Sequence, residues 1–239
     1  MGLDLRRWSP ESGFEARRSG LIRKAGVDLV IDVGANEGQY VRGLRAGGYT
    51  GPVISVEPLA SAFAALSNVS SRDPHWKVIR AAAGSGESRM DLHISGNSAS
   101  SSLMPMLDRH VRAEPTSTTV GLESVEVFPL DRLIETDLAE SSAAFLKIDT
   151  QGFEAEVLKG STEILRGDAV AGLEVELSLV PLYEGQPLWP ELSEAIRGFG
   201  FIPLSFSDGF RDPETGELLQ VDGLFVRARQ GHAEGHGPG

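Results

Sequence analysis

The stretch Val30-Ile31-Asp32-Val33-Gly34-Ala35-Asn36-Glu37-Gly38-Gln39-Tyr40 decides how the rest of the chain is read. An apolar run from Leu29 to Val33, broken once by an aspartate, enters a glycine-rich turn. Tyr40, Val41 and Leu44 then follow at helical spacing. Strand, glycine turn and helix is the geometry that exposes backbone N–H groups at the carboxyl end of a parallel strand. Glycine suits the turn because it tolerates positive φ and carries no Cβ to hold a ligand away. The stretch therefore predicts a nucleotide-like ligand at a β-α-β unit, whose second strand is Pro52 to Val56, ending at Glu57.

The unit spans Asp32 to Glu57, close to the roughly 30 residues such a unit needs. The crossover rule makes its two strands parallel, with the helix on one face. Ala62, Phe63, Leu66 and Val69 supply the next helix, and Trp76 to Ala82 a third strand. From Gly84 to Glu123 the pattern loosens. Only Met90 to Ile94 alternates like a strand, and residues 84–123 are read as a substrate-side insertion that includes the serine loop after Asn97. Val125 to Leu130 reads as a short strand, with Asp131 capping a helix through Leu138. Phe145 to Asp149 is a strand, Glu154 to Leu165 a helix, and Val170 to Leu177 a strand. A helix from Pro190 to Phe199 precedes a closing pair, Phe201 to Phe206 and Gly223 to Val226, antiparallel at the end of a parallel sheet.

At the amino end, Ser9-Pro10-Glu11 has the pattern of an N-cap, and residues 1–26 read as a helical extension closed by Gly26. Arg17, Arg18, Arg23 and Lys24 on it read first as a solvated face and second as contacts to an anionic substrate. Residues 1–229 form one domain, and the Gly- and His-rich tail 230–239 is expected to be disordered.

The 239 residues are 41% hydrophobic and 23% charged, with net charge −12. That balance suits one soluble domain and opposes a broad nucleic-acid surface, which needs clustered Lys and Arg. The absence of cysteine excludes disulfides and thiolate chemistry. No apolar h-region or run of about 18 apolar residues occurs, so neither a signal peptide nor an integral membrane segment is expected, and the cytoplasm is the default compartment. A homodimer is compatible with these features.

The turn is not the dinucleotide fingerprint, since Gly34-Ala35-Asn36-Glu37-Gly38 lacks the G-x-G-x-x-G spacing. Asp32 before the turn would repel a pyrophosphate and attract an ammonium, directly or through water. Glu57 at the end of the second strand is placed to accept both ribose hydroxyls. An amino-acid ammonium with a ribose describes S-adenosylmethionine. The bland alternative makes Asp32 a turn-former and Glu57 an ordinary strand end.

On Asp32-Val33-Gly34-Ala35-Asn36-Glu37-Gly38, Val56-Glu57-Pro58, the serine loop after Asn97 and Leu146-Lys147-Ile148-Asp149-Thr150-Gln151-Gly152-Phe153-Glu154, the chain resembles the FkbM family of S-adenosylmethionine-dependent methyltransferases. Leu173-Glu174-Val175-Glu176 and Pro181-Leu182-Tyr183-Glu184-Gly185-Gln186 add to the likeness. The resemblance implies an α/β, Rossmann-like class I methyltransferase fold: a seven-stranded, mostly parallel sheet with an antiparallel last strand and helices on both faces. It implies O-methylation of a sugar, glycolipid or polyketide-type hydroxyl. It also places the donor's methionine part over Asp32, Gly34, Asn36 and Gly38, its ribose on Glu57, and its adenine near Ala82 and Ala83.

A protonated alcohol is a weak nucleophile, so a base is expected, contributing about 10²–10⁴-fold. Asp149, where the central strand ends, leads. Its alternative roles are capping the helix near Glu154 or ordering the donor's methionine end. Glu176 and His110 are the other candidates. Glu174 and Glu176 share one strand face and need partners, which Lys147 supplies unless it snorkels. Clustered acids would also suit Mg²⁺, which is not favoured because no ligand spacing is decisive. His75, His93, His232 and His236 read as bystanders. Tyr183, Trp189 and Phe210 are candidates for stacking on a sugar, with ordinary packing preferred for Trp189. The rival readings are an NAD(P)-dependent oxidoreductase on a similar sheet and a non-catalytic cofactor- or metabolite-binding module.

Overall fold

The computed structural model describes residues 13–228. The Ser9-Pro10-Glu11 cap, the tail 230–239, His232 and His236 lie outside the described residues. α1 (Phe14–Lys24) leads into β1 (Leu29–Val33), α2 (Gln39–Ala46), β2 (Val53–Val56), α3 (Ala60–Ser70) and β3 (Trp76–Ile79). Next come β4 (Ala82–Ala83), β5 (Ser88–Ser95), α4 (Asp108–Ala113), β6 (Thr119–Phe128) and the short α5 (Leu130–Leu133) and α6 (Glu135–Ala139). β7 (Ala144–Ile148), α7 (Glu154–Lys159), α8 (Thr162–Arg166), β8 (Val170–Ser178), α9 (Trp189–Gly198), β9 (Phe201–Phe206) and β10 (Gln220–Arg227) complete the order.

Seven strands form one sheet in the order β3-β2-β1-β7-β8-β10-β9. The first five are parallel, and β10, last in the chain, runs antiparallel to both β8 and β9. This is the seven-stranded, Rossmann-like α/β sheet expected. β1 and β7 are buried along their full length, which is why they read as near-continuous apolar runs. Their alternation splits the core in two. Leu29, Ile31 and Val33 pack with α5, α7, α8 and α9 on one face, whereas Val30 and Phe145 pack with α1, α2 and α3 on the other. Asp32 and Lys147 share the second face with Val30 and Phe145. Among the described residues no helix is long and apolar enough to cross a membrane.

Four local expectations need correction. The third strand stops at Ile79, and Ala82-Ala83 joins a second sheet of order β4-β6-β5. Between them Arg80 turns outward to pair with Glu123 at 3.0 Å. The insertion is therefore built around an antiparallel β5–β6 pair, not a loose polar stretch. Val120 and Leu122 on β6 are exposed while Val125 and Val127 are buried, so no single apolar alternation marks that strand. The expected helix 154–165 is two helices, because α7 meets the second sheet at Gly160. Asp131 does not cap its own helix. Its carboxylate accepts the Glu163 and Ile164 N–H groups at 3.0 and 3.1 Å, capping α8 from a distance.

A Cβ on Gly160 would lie 1.9 Å from the Gly84 carbonyl oxygen, whereas one on Gly86 meets nothing within 4 Å. Gly160→Ala is expected to destabilise the protein by about 2–3 kcal/mol, and Gly86→Ala by less than about 0.5 kcal/mol. At about 2–4 °C per kcal/mol for a chain of this size, melting curves of the two variants will separate them. Equal midpoints would refute this account of the α7–α8 break.

Candidate functional site

β1, β2 and β7 end side by side, and their approach needs the glycine that follows β1. Gly34 has φ +79, and a Cβ there would lie 1.8 Å from the Asp149 carbonyl oxygen. The N–H groups of Gly34 and Ala35 both donate to the Val56 carbonyl, at 3.0 and 3.2 Å. The Asn36 N–H donates to Glu57 Oε2 at 2.8 Å. The turn thus closes on the end of β2, and these three donors are paired within the protein, where the sequence reading expected exposed N–H groups. Among the described residues only Asn36 (φ 46) and Gln151 (φ 55) are non-glycine residues with positive φ. Both line the same cavity. Such backbone costs on the order of 1–3 kcal/mol and gathers where function requires it.

The cavity has about 740 Å³ of atom-free space, its open mouth included. Val56, Ala82, Ala83, Leu92, Leu103 and Phe153 give it an apolar wall, while Asn36, Glu57, Ser98, Asp149 and Gln151 give it a polar one. The second sheet and its serine loop thereby become part of the site. Ser98 Oγ donates to Asn36 Oδ1 at 3.1 Å, and Ser102 Oγ to the Gln151 carbonyl at 2.6 Å. Glu57 is 7% exposed. Burial raises its carboxyl to about 7 against the opposing pull of the Leu59 and Asn36 N–H bonds. Each of its oxygens keeps a lone pair beyond those bonds.

Behind the cavity lies a row of polar side chains running across the sheet on the α1–α3 face. Strand register sets Ser55 beside Asp32, Asp32 beside Lys147, and Lys147 beside Glu174. Lys147 does not snorkel. Its ammonium, 7% exposed as a residue, sits 3.3 Å from Asp32 Oδ1 and 3.2 Å from Asp149 Oδ2, and donates to the Gly34 carbonyl at 3.1 Å. Burial alone would lower the Lys147 pKa, but Asp149 and Asp32 together raise it, so the ammonium is held charged. Asp32 is wholly buried, with Ser55 Oγ 3.3 Å from its other oxygen. An internal ammonium thus occupies the place the sequence reading gave to a ligand's.

Asp149 is held from its other side by Gln151, whose Nε2 donates to Asp149 Oδ1 at 2.9 Å and to Glu176 at 2.9–3.0 Å. The Tyr183 hydroxyl, 2.9 Å from Gln151 Oε1, fixes which way that amide points. Burial, then the Asp149 and Glu154 charges, push the Glu176 carboxyl well above the ordinary range. Glu154, not Asp149, closes the turn, accepting the Thr150 and Gly152 N–H groups at 2.8 and 3.0 Å.

Of the residues singled out in the sequence, Gly34, Asn36, Glu57, Ala82, Ala83 and Asp149 line the cavity. Asp32, Gly38, Glu176 and His110 are not among its lining residues. Gly38 caps α2 at φ 82, where a Cβ would meet the Trp76 ring at 2.7 Å. His110 is buried against Tyr183 and Phe210, ring centroids 5.3 and 5.4 Å away, and burial lowers its pKa to about 4. Tyr183 is fully buried, so its ring has no face for a sugar, and Trp189 is half-exposed on α9. Ser98 and Leu103 lie in the serine loop assigned to the substrate side, whereas Leu92 and Phe153 were not named as site residues, although the alternation of Met90 to Ile94 already pointed Leu92 inward. Among the described residues no group of three or more acids and histidines is arranged to hold a metal ion.

Residues 32–203 match the family model described as the methyltransferase FkbM domain. No curated protein matches the sequence. Among solved structures, a methyltransferase FkbM from Methylobacillus flagellatus KT aligns at TM-score 0.59 and 18% identity over 92% of this chain. The alignment covers 48% of that structure, so this chain spans about half its length. An rRNA methylase from Streptococcus thermophilus aligns at TM-score 0.45 and 12% identity, over 94% of this chain and 100% of that one. Fibrillarin from Aeropyrum pernix, solved with natively bound S-adenosyl-L-methionine, aligns at TM-score 0.45 and 9% identity, over 87% of this chain and 74% of that one.

Burial pushes the Asp32 carboxyl up, and the Lys147 ammonium is the main influence drawing it back. Lys147→Met would leave Asp32 buried with no cation. The expected destabilisation is about 3–5 kcal/mol near neutral pH. Without its partner, Asp32 titrates in the fold above its unfolded pKa of about 3.9. The penalty is therefore absent below that value and grows as pH rises through the folded pKa. Denaturant melts at pH 5 and pH 8 should show the smaller loss at pH 5. A pH-independent loss would remove Asp32 from this account.

Proposed function

The chain belongs to the FkbM methyltransferase family, and on that premise we propose that its cavity binds S-adenosylmethionine and carries out O-methylation of a hydroxyl acceptor. The acceptor class is a sugar, glycolipid or polyketide-type product. The observation that supports this best is the pair of carboxylates, Glu57 and Asp149, that line one cavity with an apolar wall and no Lys or Arg among its lining residues. That is the charge pattern a cationic donor needs. When bound, the donor supplies an electrophilic methyl group on a sulfonium.

Glu57 offers its remaining lone pairs to the ribose hydroxyls. Ala82, Ala83, Leu92 and Phe153 are the surface for the adenine ring. Asn36 and Asp149, at the ends of β1 and β7, face the methionine part. Asp149 then takes the proton of the acceptor hydroxyl. It is the one candidate base that lines the cavity, whereas Glu176 does not line it and burial raises its carboxyl well above the ordinary range, and His110 packs among aromatic rings. Orientation of the hydroxyl toward the methyl group contributes as well, since alignment alone can be worth roughly 7–11 kcal/mol of a barrier.

Three measurements test the reading. In thermal-shift titrations S-adenosylmethionine and S-adenosylhomocysteine should stabilise the protein and NADH should not; stabilisation by NADH alone would overturn it. Asp149→Asn should lower methyl transfer by about 10²-fold or more with S-adenosylhomocysteine affinity changed only a few-fold. Full activity in that variant would move the base elsewhere.

The third measurement uses pH. Glu57 accepts two hydroxyls only when ionised, and it titrates near pH 7 in the ligand-free protein. S-adenosylhomocysteine affinity should therefore rise about tenfold between pH 6 and pH 8. Glu57→Gln should weaken binding and flatten the profile, and an unchanged profile in that variant would exclude Glu57 as the titrating group.

A further inference from the structure

α1 precedes the segment 32–203 that matches the family model, yet it reaches the row of polar side chains behind the cavity. Arg18, 11% exposed at its side chain, donates through Nη1 to Glu174 Oε1 at 3.1 Å. The Tyr40 hydroxyl donates to Glu174 Oε2 at 2.9 Å. The Arg18 guanidinium lies over the Tyr40 ring, 4.8 Å from its centroid, and the Lys147 ammonium is 5.4 Å from the same centroid. Glu174 thus receives a donor on each oxygen, from α1 and from α2.

Register shows why this matters. Glu174 is the direct cross-strand neighbour of Lys147 on the same sheet face, just as Asp32 is from the other side. A lysine on a flexible stem with three donors and three carboxylates in reach does not have a single arrangement. Two of its contacts would go to the neighbours in register, Asp32 and Glu174, and Asp149 would lose its share. Arg18 and Tyr40 remove that competition by satisfying Glu174 first. The ammonium is then left for Asp32, the Gly34 carbonyl and Asp149, the arrangement observed.

We infer that Arg18 is a positioning residue: by occupying Glu174 it directs the Lys147 ammonium onto Asp149. The inference makes α1 part of the site's construction, and it turns a cation on a helix read as solvated into a buried one. Its consequence for donor binding rests on the function proposed above; its structural content does not.

The test is a double-variant cycle read in two ways. The chain has four lysines, Lys24, Lys77, Lys147 and Lys159. The ¹³Cε signal of Lys147 in lysine-labelled protein can therefore be assigned by its loss in Lys147→Arg and followed without any ligand. Arg18→Gln should move that signal. Arg18→Gln/Glu174→Gln should return it toward the wild-type position, because the competing charge has gone. S-adenosylhomocysteine affinity should follow the same course, weakening a few-fold in the single variant and recovering toward the wild-type value in the double.

If Arg18→Gln does not fold, Tyr40→Phe removes only the second donor to Glu174. It should give a smaller shift of the same kind, again cancelled by Glu174→Gln. A Lys147 signal unmoved in both single variants, or moved equally in single and double, would overturn the inference. Wild-type protein that binds no S-adenosylhomocysteine would instead overturn the proposed function, leaving the lysine signal to decide this point alone.

Discussion

The Lys147 ammonium, lodged between the Asp32 and Asp149 carboxylates, is the interaction on which the rest of the site depends. Two carboxylates at the ends of adjacent central strands repel each other, and one of them is fully buried. Removing either charge from water costs several kcal/mol unless it is paired and hydrogen-bonded. One ammonium pairs with both carboxylates, and its hydrogen bond to the Gly34 carbonyl also ties β1 to β7. Strand order supplies the pairing, because Asp32 and Lys147 are register partners. A one-residue slip would move the lysine to the opposite face and leave Asp32 without a cation.

Around that pair the fold separates two tasks. The seven-stranded sheet provides fixed acids at strand ends, held by backbone geometry that tolerates little substitution. The second sheet provides Leu92 and, through the serine loop, Ser98 and Leu103. Asn36 and Gln151, both in left-handed backbone, stand where the two meet and are tied to the serine loop by Ser98 and Ser102. Strain at those two positions is held in place by hydrogen bonds from both sides, which is the condition under which such conformations persist.

The central sheet was legible because its strands are buried on both faces and its turns carry glycines with steric reasons. Leu29 to Val33 and Phe145 to Ile148 could hardly be read otherwise. The insertion was not legible, since β6 exposes Val120 and Leu122 and so hides its period. Local periodicity also could not show that Gly160 lies against Gly84, and so joined α7 to α8. Glu57 and Asp149 were singled out because each closes a strand of the central sheet, and both line the cavity. Asp32 was assigned to a ligand because a carboxylate beside the turn attracts an ammonium, and a sequence does not say whether that ammonium is internal. Lys147, one strand away in space and 115 positions away in sequence, was the answer. His110 looked available in a polar stretch, but the aromatic residues that enclose it come from remote segments.

The same chemistry weighs against a dinucleotide at this turn. A pyrophosphate is held by backbone N–H groups aimed at it and by the positive end of a helix. Here the N–H groups of Gly34, Ala35 and Asn36 are already given to Val56 and Glu57. Glu57 and Asp149 are acids on the cavity lining, which holds no Lys or Arg, and the Lys147 ammonium behind it is itself committed to two carboxylates. Two acids at strand ends, and turn N–H groups already paired, disfavour a phosphate by both Coulombic repulsion and unmet hydrogen bonds. A ligand bearing a sulfonium and ribose hydroxyls turns both features into attractions. The spacing of the glycines and the electrostatics of the folded turn therefore point the same way, although they are independent properties of the chain.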